Sequence, residues 1–208
     1  MAQERFHKPV RLPGGAFDAL LGGGDAAEAS RVAHDTAAAL LHRVRGGRDA
    51  AAVERLVSFA DENGIDDIAE LWAPAAAASL PGSLWRLYLV RQAAVRDPEG
   101  ASYTFRRGLE VDRTISHVVA GPVTPTGPRE LVQLVDEILR GAFTGDFALA
   151  LDRAAAFARI MAQGAAQLAE GQADRERAAA ETRRGVRYLQ IAEELAACAG
   201  RWREDRLD

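Results

Sequence analysis

The sequence predicts an all-α protein, an irregular helical bundle or array of about eight to nine helices with no significant sheet. Three observations carry that prediction. First, alanine supplies 43 of the 208 residues and leucine 21, against 14 valines and only six isoleucines. Helices favour Ala, Leu, Arg and Glu, whereas strands favour β-branched and aromatic residues. Second, apolar residues recur at three- and four-residue spacing along most of the chain. Third, residues 118–128, VVAGPVTPTGP, are the only long stretch whose prolines and glycines forbid a helix.

Residues 1–13 contain Pro9 and Pro13 and read as a flexible tail. Residues 14–118 form an N-terminal helical half, 119–128 a Pro/Gly-rich loop, 129–200 a C-terminal helical half and 201–208 a charged tail. Within the first half, a short turn over Gly14–Leu21 ends at Gly22, Gly23 and Gly24. No Lys-Ser or Lys-Thr follows these glycines and no strand precedes them, so a helix stop is the reading and not a phosphate loop. Asp25 is an N-cap with Glu28 three residues on, opening a helix through Val32, Thr36, Leu40, Leu41 and Val44. A second helix runs from near Asp49 to Asn63-Gly64. Asp66 caps a third, carrying Ile68, Leu71 and Trp72, which Pro74 ends.

Pro81 opens the next helix. Leu84, Trp85, Leu87, Tyr88, Leu89 and Val90 cover most of its sides, which predicts a central, buried helix. Trp72, Trp85 and Tyr88 are assigned to the core, and Trp85→Ala is expected to cost about 3–5 kcal/mol. Asp97-Pro98 closes that helix and starts another with Tyr103, Phe105, Leu109, Val111 and Ile115. Beyond the loop, Pro128 begins a helix with Leu131, Leu134, Val135 and Ile138 as its stripe. Thr144 is the expected cap of a helix through Phe147, Leu151, Ala154 and Met161. The last helix is expected over about residues 172–199, with Gly200 beyond it. Its stripe of Val186, Leu189 and Leu195 is thin and alanine-filled, suited to close packing on the body or on a partner.

Composition excludes several functions. The chain holds 26 basic and 30 acidic residues, a formal net charge of −4, and only Lys8 among the basic residues is a lysine. A field of that sign does not attract nucleic acid non-specifically. From Asp174 to Asp208 eight arginines face eight carboxylates, so even this arginine-rich end is neutral. The single cysteine, Cys198, cannot make an internal disulfide, and the N-terminal residues lack the apolar core of a signal peptide. No run approaches about 18 apolar residues, so no membrane span is expected. A cytoplasmic protein is the reading, with a homodimer left open.

No catalytic, cofactor-binding or metal-binding residue is assigned, and no cofactor is expected. His34 and His42 lie about 12 Å apart along one helix, too far to share a metal ion. His7 and His117 have no metal-ligand spacing to another histidine, so all four histidines read as structural or solvated. Cys198 has no histidine near it in sequence and reads as a small buried hydrophobe. The acidic run Asp61, Glu62, Asp66, Asp67, Glu70 lacks the spacing and glycine of a calcium loop. Helix-end dipoles explain it, and a basic partner is the functional alternative, through Asp61, Asp66 and Asp67. Arg183, Arg184 and Arg187 form a triplet suited to a phosphate or an acidic protein. Trp202 stands among charges, either tucked back or offered to a partner.

The segments LPGGAFDALLGGGD (12–25), RVAHDTAAALLHRVR (31–45), DENGIDDIAELWA (61–73), SLPGSLWRLYLVR (79–91) and DEILRGAFTGDFALALDRAAAF (136–157) together resemble a family of small all-helical actinobacterial proteins. Its members often carry the label "DNA-directed RNA polymerase beta subunit". The resemblance covers most of residues 12–170 and implies a helical protein with no established activity. It transfers no functional residue, and the label hints at association with transcription. On these grounds the leading expectation is a non-enzymatic interaction or regulatory protein. The alternative is a small-molecule-binding helical protein, or an enzyme, with a pocket between helices. A DNA-associated factor ranks last because of the charge balance.

Overall fold

The computed structural model describes residues 26–42, 65–111, 125 and 127–208. Among them are seven helices and no strand, so the class is all-α and the described count falls short of eight or nine. The helix expected near Asp49–Asn63, the turn at Gly14–Leu21 and the caps at Asp25 and Gly64 lie outside the described residues. In chain order the helices are α1 (Ala26–His42), α2 (Ile65–Trp72), α3 (Leu80–Arg96), α4 (Pro98–Val111), α5 (Pro128–Thr144), α6 (Phe147–Glu170) and α7 (Arg175–Arg203).

Prolines set three of the starts, because a first-turn position needs no amide donor. Ser79 caps α3, its hydroxyl accepting from the Gly82 amide at 3.2 Å, with Pro81 in the first turn. Asp97 ends α3 and its carboxylate accepts from the Gly100 amide at 2.9 Å at the start of α4. Gly127 and Pro128 open α5. The cap of α6 is Asp146, whose carboxylate accepts from the Leu149 amide at 3.2 Å. Thr144 instead closes α5. The carboxylate meets both the free amides and the positive helix end, and it stands immediately before Phe147.

α3 packs against every other described helix and is central, as its apolar residues predict. Leu80, Leu84, Leu87, Tyr88, Val90 and Ala94 are among its buried side chains. The tryptophan fully buried in the core is nevertheless Trp72, with its indole N–H donating to Thr36 Oγ1 at 3.1 Å. Trp85 is only half-buried and packs on the edge of the core. It sits on the side of α3 that faces a surface groove, so the core cost expected at Trp85 belongs to Trp72. The buried side chains before and after the Pro/Gly-rich stretch form one continuous core, from Ala33 to Leu207.

α6 and α7 are joined by a short turn and lie antiparallel. The start of α6 therefore meets the end of α7, where Asp152 pairs with Arg203 and Phe147 meets Trp202. Alanines 154, 155, 158 and 165 of α6 and 192 and 199 of α7 are buried, and small side chains let the two rods approach. α4 crosses α6 still more closely. A Cβ on Gly108 would fall 2.0 Å from the Ile160 carbonyl oxygen, and one on Gly164 would fall 1.9 Å from that of Thr104. Backbone touches backbone there, beside the stacked rings of Phe105 and Phe157, 5.2 Å apart.

The last residues are not a free tail. α7 continues through Gly200 to Arg203. Asp205 then takes a left-handed conformation, φ 52°. Its amide donates to Trp202 O at 3.1 Å and the Arg206 amide to Arg201 O at 2.9 Å. That is a Schellman cap. Leu207 is buried beyond it, and the Leu80 amide donates to the Asp208 carbonyl.

Candidate functional site

An open groove of about 570 Å³ runs between α3, the start of α4 and α7, with Glu70 of α2 beside it. Helical spacing builds both walls. Trp85, Tyr88, Gln92 and Arg96 follow one another at three- and four-residue steps along α3, and Arg184, Arg187, Tyr188 and Ile191 do so along α7. Each set therefore lies on one face, and the packing of α7 on α3 sets the two faces opposite one another.

Aromatic rings form the floor. Trp85 and Tyr88 stack at 5.4 Å with their planes 27° apart, and Tyr188 is buried across from them. Burial pushes the Tyr88 phenol up from its ordinary value, and the nearby Asp66 carboxylate adds to that shift. Gln92 Nε2 donates to the Tyr88 hydroxyl at 2.6 Å and to Asp66 at 3.0 Å. The Tyr188 phenol is raised chiefly by burial, with the Arg184 cation pulling the other way.

The rim is charged. Arg184 Nη1 donates to Glu181 at 3.3 Å, and its Nη2 donates to the Thr104 hydroxyl. Its Nε and the second oxygen of Glu181 are buried without a hydrogen-bond partner among the described residues. Arg96 and Arg187 are exposed, and neither forms an ion pair among the described residues. Asp97 lines the groove but is engaged by the Gly100 amide.

Of the arginine triplet, Arg184 and Arg187 line the groove, while Asp66 of the acidic run does not line it and reaches it only through its bond from Gln92. Arg183 is exposed but does not line the groove. Asp61 lies outside the described residues, as does the side chain of Asp67. Trp202 is tucked back, half-buried with its ring edge-on to Phe147 at 4.8 Å, near the far end of α7. Trp85 and Tyr88, both assigned to the core from sequence, also line the groove, where Tyr88 is buried as expected and Trp85 is not. Gln92 and Arg96 are not singled out by the sequence, because nothing local marks them apart from other polar residues on a helix face.

A second groove, of about 520 Å³, lies between α6 and α7. Ala162, Ala166 and Gly185 line it, beside Val186 and Leu189, which are 60% and 47% exposed. Of the stripe expected to pack on α7's neighbours, only Leu195 is fully buried.

Other candidate groups have structural surroundings. Cys198 is buried with Sγ donating to Ala77 O at 3.3 Å, and burial raises its thiol pKa against the pull of Arg86 and Arg201. That favours the unreactive thiol. His34 is half-buried and bonded through Nδ1 to Ser30 O at 2.7 Å. His7 and His117 lie outside the described residues, as does the side chain of His42. Among the described residues no three His, Cys, Asp or Glu side chains are placed to hold a metal ion. No helix there is long and apolar enough to cross a membrane.

The class that fold and groove define is an all-helical protein with an open aromatic and arginine-lined cleft. Comparisons with models of protein families, with curated proteins and with solved structures find no match to this chain.

Proposed function

We propose that this chain is a non-enzymatic, cytoplasmic interaction module that docks a partner protein in the groove between α3 and α7. The observation that carries the reading is that Trp85, with the buried Tyr88 and Tyr188 behind it, and Arg96, Arg184 and Arg187 line one open groove. Trp, Tyr and Arg dominate the binding energy of protein interfaces, because they join large apolar area to directional polar groups. An open cleft suits a chain laid along it better than a reaction that must exclude water.

A photo-crosslinking residue at Leu89, which lines the groove, tests the reading in the native cell. A discrete protein should be captured there, and not from the same residue at Leu149, which is exposed elsewhere. Equal capture at both positions counts against docking in the groove. A second reading rests on volume. About 570 Å³ falls within the range of small-molecule sites. A metabolite that raises the melting temperature of the wild type but not of Arg187→Gln would favour it.

A further inference from the structure

We infer that the groove takes an acidic segment of a partner protein, with one aromatic or large aliphatic side chain seated on Trp85 and Tyr88 and flanking carboxylates held by Arg96 and Arg187. The inference rests on the docking reading above and names the chemistry of its partner.

Charge is the first ground. α3 carries three arginines on three sides. Arg86 pairs with Glu194 of α7, and Arg91 pairs with Asp136 of α5 at 2.6 Å. Arg96, at the groove, has no carboxylate among the described residues, in a chain where acids outnumber bases. Arg187 is left in the same way on the opposite wall. The carboxylates nearby do not answer them. Asp97 is held by the Gly100 amide, and Glu181 is spent on Arg184. Glu70, on α2, is the one acidic wall residue whose carboxylate has no ion pair or hydrogen bond among the described residues. Two cations in the groove therefore await an anion, and carboxylates meet a guanidinium's paired N–H groups two at a time.

The aromatic floor is the second ground. Trp85 is half-buried, so its indole keeps part of its surface uncovered, stacked on Tyr88, which is itself buried. A lone phosphate or carboxylate would satisfy an arginine and leave that indole wet. A peptide satisfies both, because its side chains alternate between anchor and charge. A partner with a basic residue toward Glu70 gains a further favourable contact.

The test uses full-length protein and three fluorescein-labelled peptides of about twelve residues. One has a central Phe between glutamates, one has lysines for the glutamates, and one has Ala for the Phe. Fluorescence anisotropy should show the first binding at least about tenfold more tightly than either other peptide, and weakening as salt rises. Arg96→Gln and Arg187→Gln, both at exposed positions, should each weaken it by about tenfold, with Arg183→Gln unchanged. Equal binding of the lysine peptide overturns the inference, as does full affinity in both groove variants. Sedimentation showing a dimer that Arg187→Gln dissociates would overturn it too, by making a second copy the occupant. If the peptides fail while Leu89 still captures a partner, docking stands and acidic chemistry falls. If both fail, the docking reading falls as well.

Discussion

α6 and α7 are neighbours in sequence and packed along their lengths, yet they do opposite things. α6 has four charged residues in 24 and is buried on nearly every side, with Leu151, Phe157, Ile160 and Met161 in the core. α7 has eleven charged residues in 29 and buries a single narrow stripe of Gly185, Tyr188, Ala192, Leu195, Cys198 and Ala199. Alanine lets both approach their neighbours closely, and charge decides how many neighbours each can have. A helix that turns one face inward leaves its others for something else. On α7 one flank carries the arginines of the groove and the other carries Val186 and Leu189.

The contrast breaks first at the core. Trp72→Ala should destabilise the fold by about 3–5 kcal/mol, while Trp85→Ala, at the groove, should cost about 1 kcal/mol or less. Urea denaturation of the two variants checks the ranking, and equal losses would return Trp85 to the core. Next comes the α4–α6 crossing. Gly164→Ala places a methyl against the Thr104 carbonyl and should cost about 1–3 kcal/mol. Gly200→Ala in α7, with open space at its Cβ position, should be neutral or gain up to about 1 kcal/mol. A melting series that failed to separate these glycines would refute the close approach.

The tie between α3 and α7 should respond to acid. Burial alone would raise the Glu194 carboxyl, but hydrogen bonds from Arg86 and Gln190 hold it below the ordinary value. A carboxyl lowered on folding stabilises the protein above its unfolded pKa, and that contribution fades as pH falls through the lower folded value. Glu194→Gln should cost about 1 kcal/mol at neutral pH, and its difference from wild type should vanish in the acid range. Urea midpoints measured across pH check this, and a difference independent of pH would contradict it. The smallest effect is at the end of α7. Asp205→Gly should stabilise by a few tenths of a kcal/mol to about 1, by relieving the left-handed backbone. A drop in melting temperature would show that Asp205 does more than turn the chain.

The helical class and most element starts were legible, because prolines 81, 98 and 128 and local periodicity are short-range signals. The errors share a physical cause. Thr144 and Gly200 are plausible cap and stop residues by type, but Asp146 and Asp205 hold the geometry. The Gly108–Gly164 contact was invisible, since no local pattern says which helices cross. The groove joins α3 to residues about one hundred positions later. Its half-signatures were present as the Trp85–Tyr88–Gln92–Arg96 and Arg184–Arg187–Tyr188–Ile191 spacings. Without the pairing of α3 with α7, an aromatic at helical spacing reads as core, which holds for the buried Tyr88 but not for the half-buried Trp85.

The most direct trial of acidic docking is a double-mutant cycle between Arg187→Gln and a Glu→Gln change in the acidic peptide, read by anisotropy at low salt. A coupling of about 1 kcal/mol or more is predicted for at least one glutamate. Additive losses at every glutamate would contradict an Arg187–carboxylate contact.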